Sequence, residues 1–306
     1  MWTLSVCIPI YNSDVRALVN DLCFQIGELS TSSINIVLID DASDPIYREL
    51  NCFTDPFVRL IQLTQNIGRS KIRNTFLSQT DAKYLLFIDG DSTIQNKQFL
   101  KTYVDYLNQE SVDVLVGASA YQQQKPKRSE YLRWNYSSHR ESLNFQQRLH
   151  NHSAGFKTNN FLINREILKL IPFDERIKGY GHEDTLLGLQ LEAHQIQIAH
   201  IDNPVWNFKL DSNSQFLSKT TQALQNLLWI EKNYPELPLR NTNRLLNIYR
   251  NLLDSKILKF IMPLSILFLP VFRNLLKSGL APLFVFDLYR VFKIYQLDKN
   301  SLHDLR

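Results

Sequence analysis

Short apolar runs of strand length, separated by amphipathic helical stripes, dominate the first 120 residues and restrict the fold more than any other feature. The runs are Leu4 to Ile10, Ile34 to Ile39, Val58 to Leu63 and Tyr84 to Ile88. Continuous rather than alternating apolarity predicts strands covered on both faces, as in a parallel sheet. Between the first two runs, Val15, Leu18, Val19, Leu22, Cys23, Ile26 and Leu29 recur at spacings of three and four. Leu100, Tyr103, Val104 and Leu107 repeat that stripe after the fourth run. Strand and helix alternating in this way predict an α/β chain built on a doubly wound, mostly parallel sheet.

The pattern breaks from about Tyr121 to His152, where Gln, Lys, Arg and Tyr replace aliphatic residues and a loop or helical insertion is expected. Order returns at Phe156 to Asn164, then as a helix after Glu183-Asp184 and a strand at Ile196 to Ile201. Phe216, Ala223, Leu224, Leu227 and Ile230 mark another amphipathic helix, after which Pro235 and Pro238 punctuate a boundary. The expected organisation is a domain over 1–235, with halves 1–120 and 121–235, followed by a helical, apolar extension over 236–306. In that extension Phe260 to Phe272 and Leu280 to Phe286 are apolar on nearly every face, with Lys or Arg at their borders. A spanning helix needs roughly 20 apolar residues, and Pro263 and Pro270 interrupt the first run. Helices packed on the domain, or an element lying in a membrane interface, are the two readings that stand.

With 44% hydrophobic and 21% charged residues, the chain has the composition of a globular protein with a real core. A formal charge of +4 suits anionic ligands or an anionic membrane surface and is far too weak to imply nucleic acid. Cys7, Cys23 and Cys52 have neither CxxC spacing nor an even number, so buried thiols in a reducing compartment are expected. The first residues lack the basic and apolar stretches of a secretion signal, which points to the cytoplasm, with the tail allowing peripheral attachment to the inner face of the membrane.

Ligands of an open α/β sheet gather beyond the carboxyl ends of its strands. Acidic residues fall there: Asp40-Asp41 closes the second run and Asp89-Gly90-Asp91 the fourth. Two carboxylates separated by one small residue can face a divalent ion, and Gly90 removes a side chain that would crowd the ion or a sugar ring. The same Asp-Gly-Asp-Ser is also good turn chemistry. Both readings stand on these residues alone.

The wider order of motifs is more specific. Cys7-Ile8-Pro9-Ile10-Tyr11-Asn12 is followed by Ile39-Asp40-Asp41-Ala42-Ser43-Asp44, Asn66-Ile67-Gly68, Arg73-Asn74, Asp89-Gly90-Asp91 and Gly179-Tyr180-Gly181-His182-Glu183-Asp184. Over roughly residues 1–235 this resembles the family-2 inverting glycosyltransferases of bacterial polysaccharide and glycan synthesis, which have a GT-A fold. The resemblance implies transfer of a sugar from a nucleotide-sugar donor, in form a UDP-sugar, to a glycan, lipid-linked or other hydroxyl acceptor. It places Pro9 and Tyr11 beside the nucleobase, Asp41 on the uracil N–H, and Arg73 on base or diphosphate. Asp89 and Asp91 would hold Mn2+ or Mg2+, Gly90 and Asn160 would line the donor, and the glycines at 179 and 181 would let backbone approach the sugar. Asp184, with Glu183 beside it, would be the base.

Plainer readings stand beside these. Asp41 would cap a helix near Ser43, Arg73 would be a solvated helix arginine, and Glu183-Asp184 would complement a helix dipole. Tyr131, Trp134 and Tyr136 fit core packing better than stacking on an acceptor. The family's usual further metal-ligating histidine is replaced by Asn207, with His200 as a nearby substitute. That departure leaves open a non-catalytic relative that binds a nucleotide-sugar or serves as a scaffold. A nucleotidyltransferase is disfavoured, because Tyr11-Asn12-Ser13-Asp14 lacks glycine where such enzymes grip triphosphate.

Overall fold

The computed structural model describes residues 2–29, 33–150, 156–255 and 258–303. By its own contacts the chain forms two compact units. One comprises 1–122, 142–178 and 183–209, the other 123–141, 179–182 and 210–306. The boundary expected near residue 235 lies inside the second unit.

The first unit opens with β1 (Leu4–Ile10), α1 (Arg16–Leu29), β2 (Ile34–Asp40), α2 (Pro45–Leu50), β3 (Val58–Gln62), α3 (Arg69–Gln79) and β4 (Tyr84–Ile88). There follow β5 (Ser92–Thr93), α4 (Phe99–Gln109), β6 (Val114–Val116) and β7 (Ser119–Tyr121). The second unit then contributes α5 (Tyr131–Tyr136). Back in the first come α6 (Phe145–His150), β8 (Asn160–Asn164), α7 (Arg165–Leu170), α8 (Glu183–Ala193), β9 (Ile198–His200) and β10 (Val205–Asn207).

The main sheet has seven strands in the order β3-β2-β1-β4-β8-β6-β9. All neighbours run parallel except β8, which is antiparallel to both β4 and β6. Ile10 is level with Asp40 in the β1–β2 register, so the ends of these strands share one edge. A smaller sheet, β5-β10-β7, places Asn207 opposite Ser92.

Side-chain alternation explains why the strands read as continuously apolar. Val6, Ile8, Ile36, Leu38, Leu86 and Ile88 pack on one face with α1 and α4. Cys7, Val37, Ile39, Leu85 and Phe87 pack on the other with α3, α7 and α8. Phe87 stacks on Phe161 at 5.0 Å between centroids and meets Phe76 edge-on at 5.6 Å. Each such side chain contributes roughly 1.5–3 kcal/mol on burial. Of the cysteines, Cys7 is buried, Cys23 half-buried and Cys52 exposed, so the expectation of buried thiols holds at Cys7 and is corrected at Cys23 and Cys52.

The second unit is helical: α5, α9 (Asn213–Asn233), α10 (Leu239–Thr242), α11 (Arg244–Asp254), α12 (Leu258–Ser265), α13 (Leu269–Lys277) and α14 (Leu283–His303). A reciprocal box starts α9, with the Ser212 side chain accepting from the Gln215 N–H and the Gln215 side chain accepting from Ser212 N–H. Leu132, Phe216, Leu217, Leu269, Leu276 and Phe286 form its core, so the apolar tail packs on α5 and α9. Pro263 lies within α12, and Pro270 sits in the first turn of α13, where its missing N–H is harmless. Among the described residues no helix is long and apolar enough to cross a membrane.

Candidate active site

The carboxyl ends of β1, β2 and β4 meet at one edge, and most of the expected site residues lie there. Pro9 is half-buried in β1, while Tyr11 just beyond it is 57% exposed. Asn12 and Ala42 have φ values of 49° and 60°, rare for residues with a Cβ. The strained loops are tied together: the Ser43 hydroxyl accepts from Asn12 N–H, and the Asn12 side chain accepts from Asp44 N–H. Strain held by surrounding bonds clusters at functional sites.

The two acids ending β2 have different tasks. Asp40 accepts from Ser43 N–H at 2.8 Å, so the local cap belongs to Asp40 rather than Asp41. Asp41 is buried and accepts from the N–H groups of Ile67 and Gly68 at 2.6 and 3.0 Å. It thereby fixes the turn that starts α3.

Asp89-Gly90-Asp91 is both a turn and an acidic site. Ser92 N–H donates to the Asp89 carbonyl at 3.0 Å and closes the turn. A Cβ on Gly90 would lie 3.0 Å from the Pro9 carbonyl and 3.1 Å from Val15, so tight packing here already favours the glycine. Arg73 is not a solvated helix residue. It is buried and donates to Asp89 at 2.6 Å, with its guanidinium over the Phe173 ring. Burial pulls the Arg73 pKa down from the usual arginine value, with Asp89 opposing.

One turn earlier on α3, Arg69 was not anticipated by the sequence reading. It donates to Glu183 at 2.5 Å and lies 3.7 Å from Asp89. Glu183 is buried at the start of α8. Burial pushes its carboxyl upward, but Arg69, against the neighbouring charge of Asp184 and with help from Arg73, holds it below the usual glutamate value. Asp184 accepts from Lys157 at 3.0 Å. Arginines of α3 thus link the acid ending β4 to the acid pair opening α8.

Two expected residues sit elsewhere. Asn160 is fully buried: its carbonyl accepts from the Tyr103 hydroxyl at 2.6 Å, and its amide donates to the Ala118 and Asn203 carbonyls at 2.8 Å. Its side chain is therefore spent on the core and does not line a donor. Its neighbour Asn159 is the better placed, because its carbonyl accepts from Asp89 N–H and its side-chain oxygen is buried without a partner. Asn159 lies in the turn before β8, whereas Asn160 is the first residue of the strand. His200 ends β9, three strands from β4 or roughly 14 Å at usual strand spacing. It is buried, with Nδ1 accepting from Arg148 at 3.3 Å, so it does not stand in for the missing histidine.

Within the second unit, Gly179 and Gly181 have φ values of 69° and 95° and lie against Gln222 and Ala223 of α9. A Cβ on Gly181 would come within 2.7 Å of the Ala223 methyl, so close helix packing accounts for that glycine. Tyr136 packs on Phe216 and Phe286, and Tyr131 on Trp134.

The donor set suits a hard divalent ion, but it is small. Asp89 is committed to Arg73 and approached by Arg69, whereas Asp91 is exposed. Asn207 faces Ser92, one residue from Asp91, and offers a neutral oxygen. The Ser92 hydroxyl is also buried without a partner, as is Arg73 Nε. Among the described residues no three His, Cys, Asp or Glu side chains gather as a metal cage. Orphaned polar atoms around an exposed acid fit a site completed by a ligand's own oxygens.

The model of the family described as Glycosyl transferase family 2 matches residues 5–171, more than half of the chain. The chain belongs to glycosyl transferase family 2. The poly(ribitol-phosphate) beta-N-acetylglucosaminyltransferase TarS of Staphylococcus aureus is 31% identical over 121 residues, which cover 38% of this chain and 21% of TarS. The chain thus matches about a fifth of the length of that curated relative. The structure of S. aureus TarS in complex with UDP-GlcNAc superposes with a TM-score of 0.53 at 18% identity, covering 96% of this chain and 91% of that one. Mannosyltransferase PcManGT from Pyrobaculum calidifontis, in complex with GDP-Man and Mn2+, gives 0.62 at 13% identity, covering 100% and 88%. The fold is the GT-A fold of glycosyltransferases, with a helical carboxy-terminal extension.

Proposed function

We propose that this family-2 chain is an inverting glycosyltransferase that moves a sugar from a UDP-linked donor to an acceptor hydroxyl in glycan synthesis. The observation that carries the reading is the linkage of Asp89, Arg69, Arg73 and Glu183, which brings the acid ending β4 beside the acid pair of α8. A nucleotide-sugar transferase needs both at one place. The UDP-GlcNAc complex of TarS supports the choice of nucleotide.

Exposed Tyr11 stacks on the nucleobase, with Pro9 beneath. The Asp41 carboxylate keeps acceptor capacity for a base N–H, since each of its oxygens takes only one backbone bond. Asp184 takes the proton from the acceptor hydroxyl as its oxygen bonds to the anomeric carbon. The bond from that carbon to the diphosphate oxygen breaks on the opposite side, which inverts the configuration and releases UDP. Lys157 holds the Asp184 carboxylate until the acceptor arrives. Glu183, kept ionised and immobile by Arg69, is a positioning residue.

Asp91 and Asn207 would hold Mn2+ or Mg2+, which would neutralise charge on the departing diphosphate. Mn2+ bound to PcManGT supports this cofactor. We place the chain at the inner face of the membrane as a peripheral protein, on the strength of its apolar tail. An assay of UDP release over a panel of donor sugars and simple acceptors tests the reading. Acceptor-dependent release is expected, and tight UDP binding with no release from any donor would favour a non-catalytic binder.

A further inference from the structure

The tail helices are apolar on two sides, and only one side is used. Leu269 and Leu276 of α13, with Ala281, Val285 and Phe286 after them, are buried in the core of the helical unit. On the outward side, Leu264, Leu267, Phe268, Val271 and Leu275 are exposed by 46–72%. Their spacings of three and four make one stripe running through α12, the short turn after it and α13. A second stripe, Leu280, Phe284 and Leu288, repeats every four residues into α14 and is 41–66% exposed.

Eight of the fifteen exposed large apolar side chains among the described residues thus fall between 264 and 288. Single exposed apolar residues are ordinary, but a concentration of this kind marks an interaction surface. Charge identifies the partner. From Ser255 to Phe286 the sequence holds Lys256, Lys259, Arg273 and Lys277 and no Asp or Glu. Arg273 and Lys277 are exposed on α13 beside the first stripe. The acids that border this segment are both paired, Asp254 with Arg240 and Asp287 with Arg290 and Arg140.

We propose that α12, α13 and the start of α14 form a monotopic docking face for an anionic lipid surface. The apolar stripes enter the acyl boundary, and the basic residues beside them meet phosphate headgroups. A second copy of the chain fits less well, because a two-fold contact of this face with itself would bring like charges together. This deepens the peripheral attachment proposed above and is independent of the transfer chemistry.

Sedimentation of the full chain with vesicles of phosphatidylglycerol and phosphatidylcholine tests it. Binding is expected, weaker by about tenfold or more on phosphatidylcholine alone, as expected from loss of attraction to two or more cations. The triple substitution Leu267→Ser, Phe268→Ser, Leu275→Ser should abolish sedimentation while leaving UDP binding intact, which shows that the chain is folded. Arg273→Gln with Lys277→Gln should reduce the preference for anionic vesicles. The proposal is overturned by no vesicle binding, by binding indifferent to the triple substitution, or by a dimer that the same substitution dissolves. Sedimentation without sugar transfer would overturn only the transfer reading.

Discussion

Arg69 and Glu183, 114 residues apart in sequence, meet at 2.5 Å between α3 and α8. The contact sets the charge of a buried acid, and its removal should reverse a pH dependence. In the native protein Glu183 titrates below its ordinary value because Arg69 and Arg73 outweigh burial. A depressed carboxylate contributes stability that is present above its unfolded pKa and lost as pH falls through the folded one. In Arg69→Met, burial is opposed by Arg73 alone and the carboxyl moves upward. If it passes the unfolded value, the contribution changes sign and is lost as pH rises. Thermal unfolding followed over about pH 3 to 6 should show Tm rising with pH in the native chain. The slope should flatten or invert in the variant, and an unchanged slope would refute the account.

Asp184 is the group placed to take the acceptor proton. Asp184→Asn preserves shape and removes basicity. Its turnover should fall by about 10²–10⁴-fold, the usual contribution of a general base, with UDP affinity unchanged. Titration calorimetry with UDP and steady-state UDP release measure the two separately. Turnover close to native would remove Asp184 from that role.

The strands and long helices were legible because burial on both faces leaves continuous apolar runs, as at Leu4–Ile10 and Tyr84–Ile88. The acids at strand ends were legible for the same reason, since the sheet puts them at one edge. What sequence did not disclose is which way a side chain turns. Asn159 and Asn160 are adjacent and chemically identical, yet only Asn160 is spent on the core. Arg69 carried no signal because its partners lie 20 and 114 residues away. Local pattern records neither pairing. Nor does it record that β8 runs against its neighbours.

The core role of Asn160 gives a prediction on stability. Tyr103, Asn160 and Asn203 form a buried polar cluster against Gly117, where a Cβ would come within 2.2 Å of the Tyr103 hydroxyl. Asn160→Ala strands the buried Tyr103 hydroxyl and the Asn203 carbonyl, while the Ala118 carbonyl keeps its bond from Val205 N–H. The cost is about 1–3 kcal/mol for each group left unsatisfied. Tm should drop by several degrees, and Gly117→Ala should do the same by overpacking. UDP affinity of the folded Asn160→Ala protein should match the native value. A selective loss of donor affinity without loss of stability would return Asn160 to the donor site.

The small donor set at Asp91 makes metal binding dependent on the nucleotide. A carboxylate and an amide oxygen leave most of a divalent ion's coordination to diphosphate and water. Chelator-treated protein should therefore bind Mn2+ weakly alone and more tightly with UDP, and Mn2+ should strengthen UDP binding reciprocally. Asp91→Asn should abolish the mutual enhancement. His200→Ala should leave it intact, since that ring lies three strands from β4 and accepts from Arg148. Asn207→His should increase it, because the β5–β10 pairing sets position 207 opposite Ser92 and the substitution restores the histidine that the family resemblance implies as a further ligand. Calorimetric titrations of Mn2+ and UDP, each with and without the other, decide the matter without any turnover. Equal enhancement in the native and Asp91→Asn proteins would remove the ion from this site.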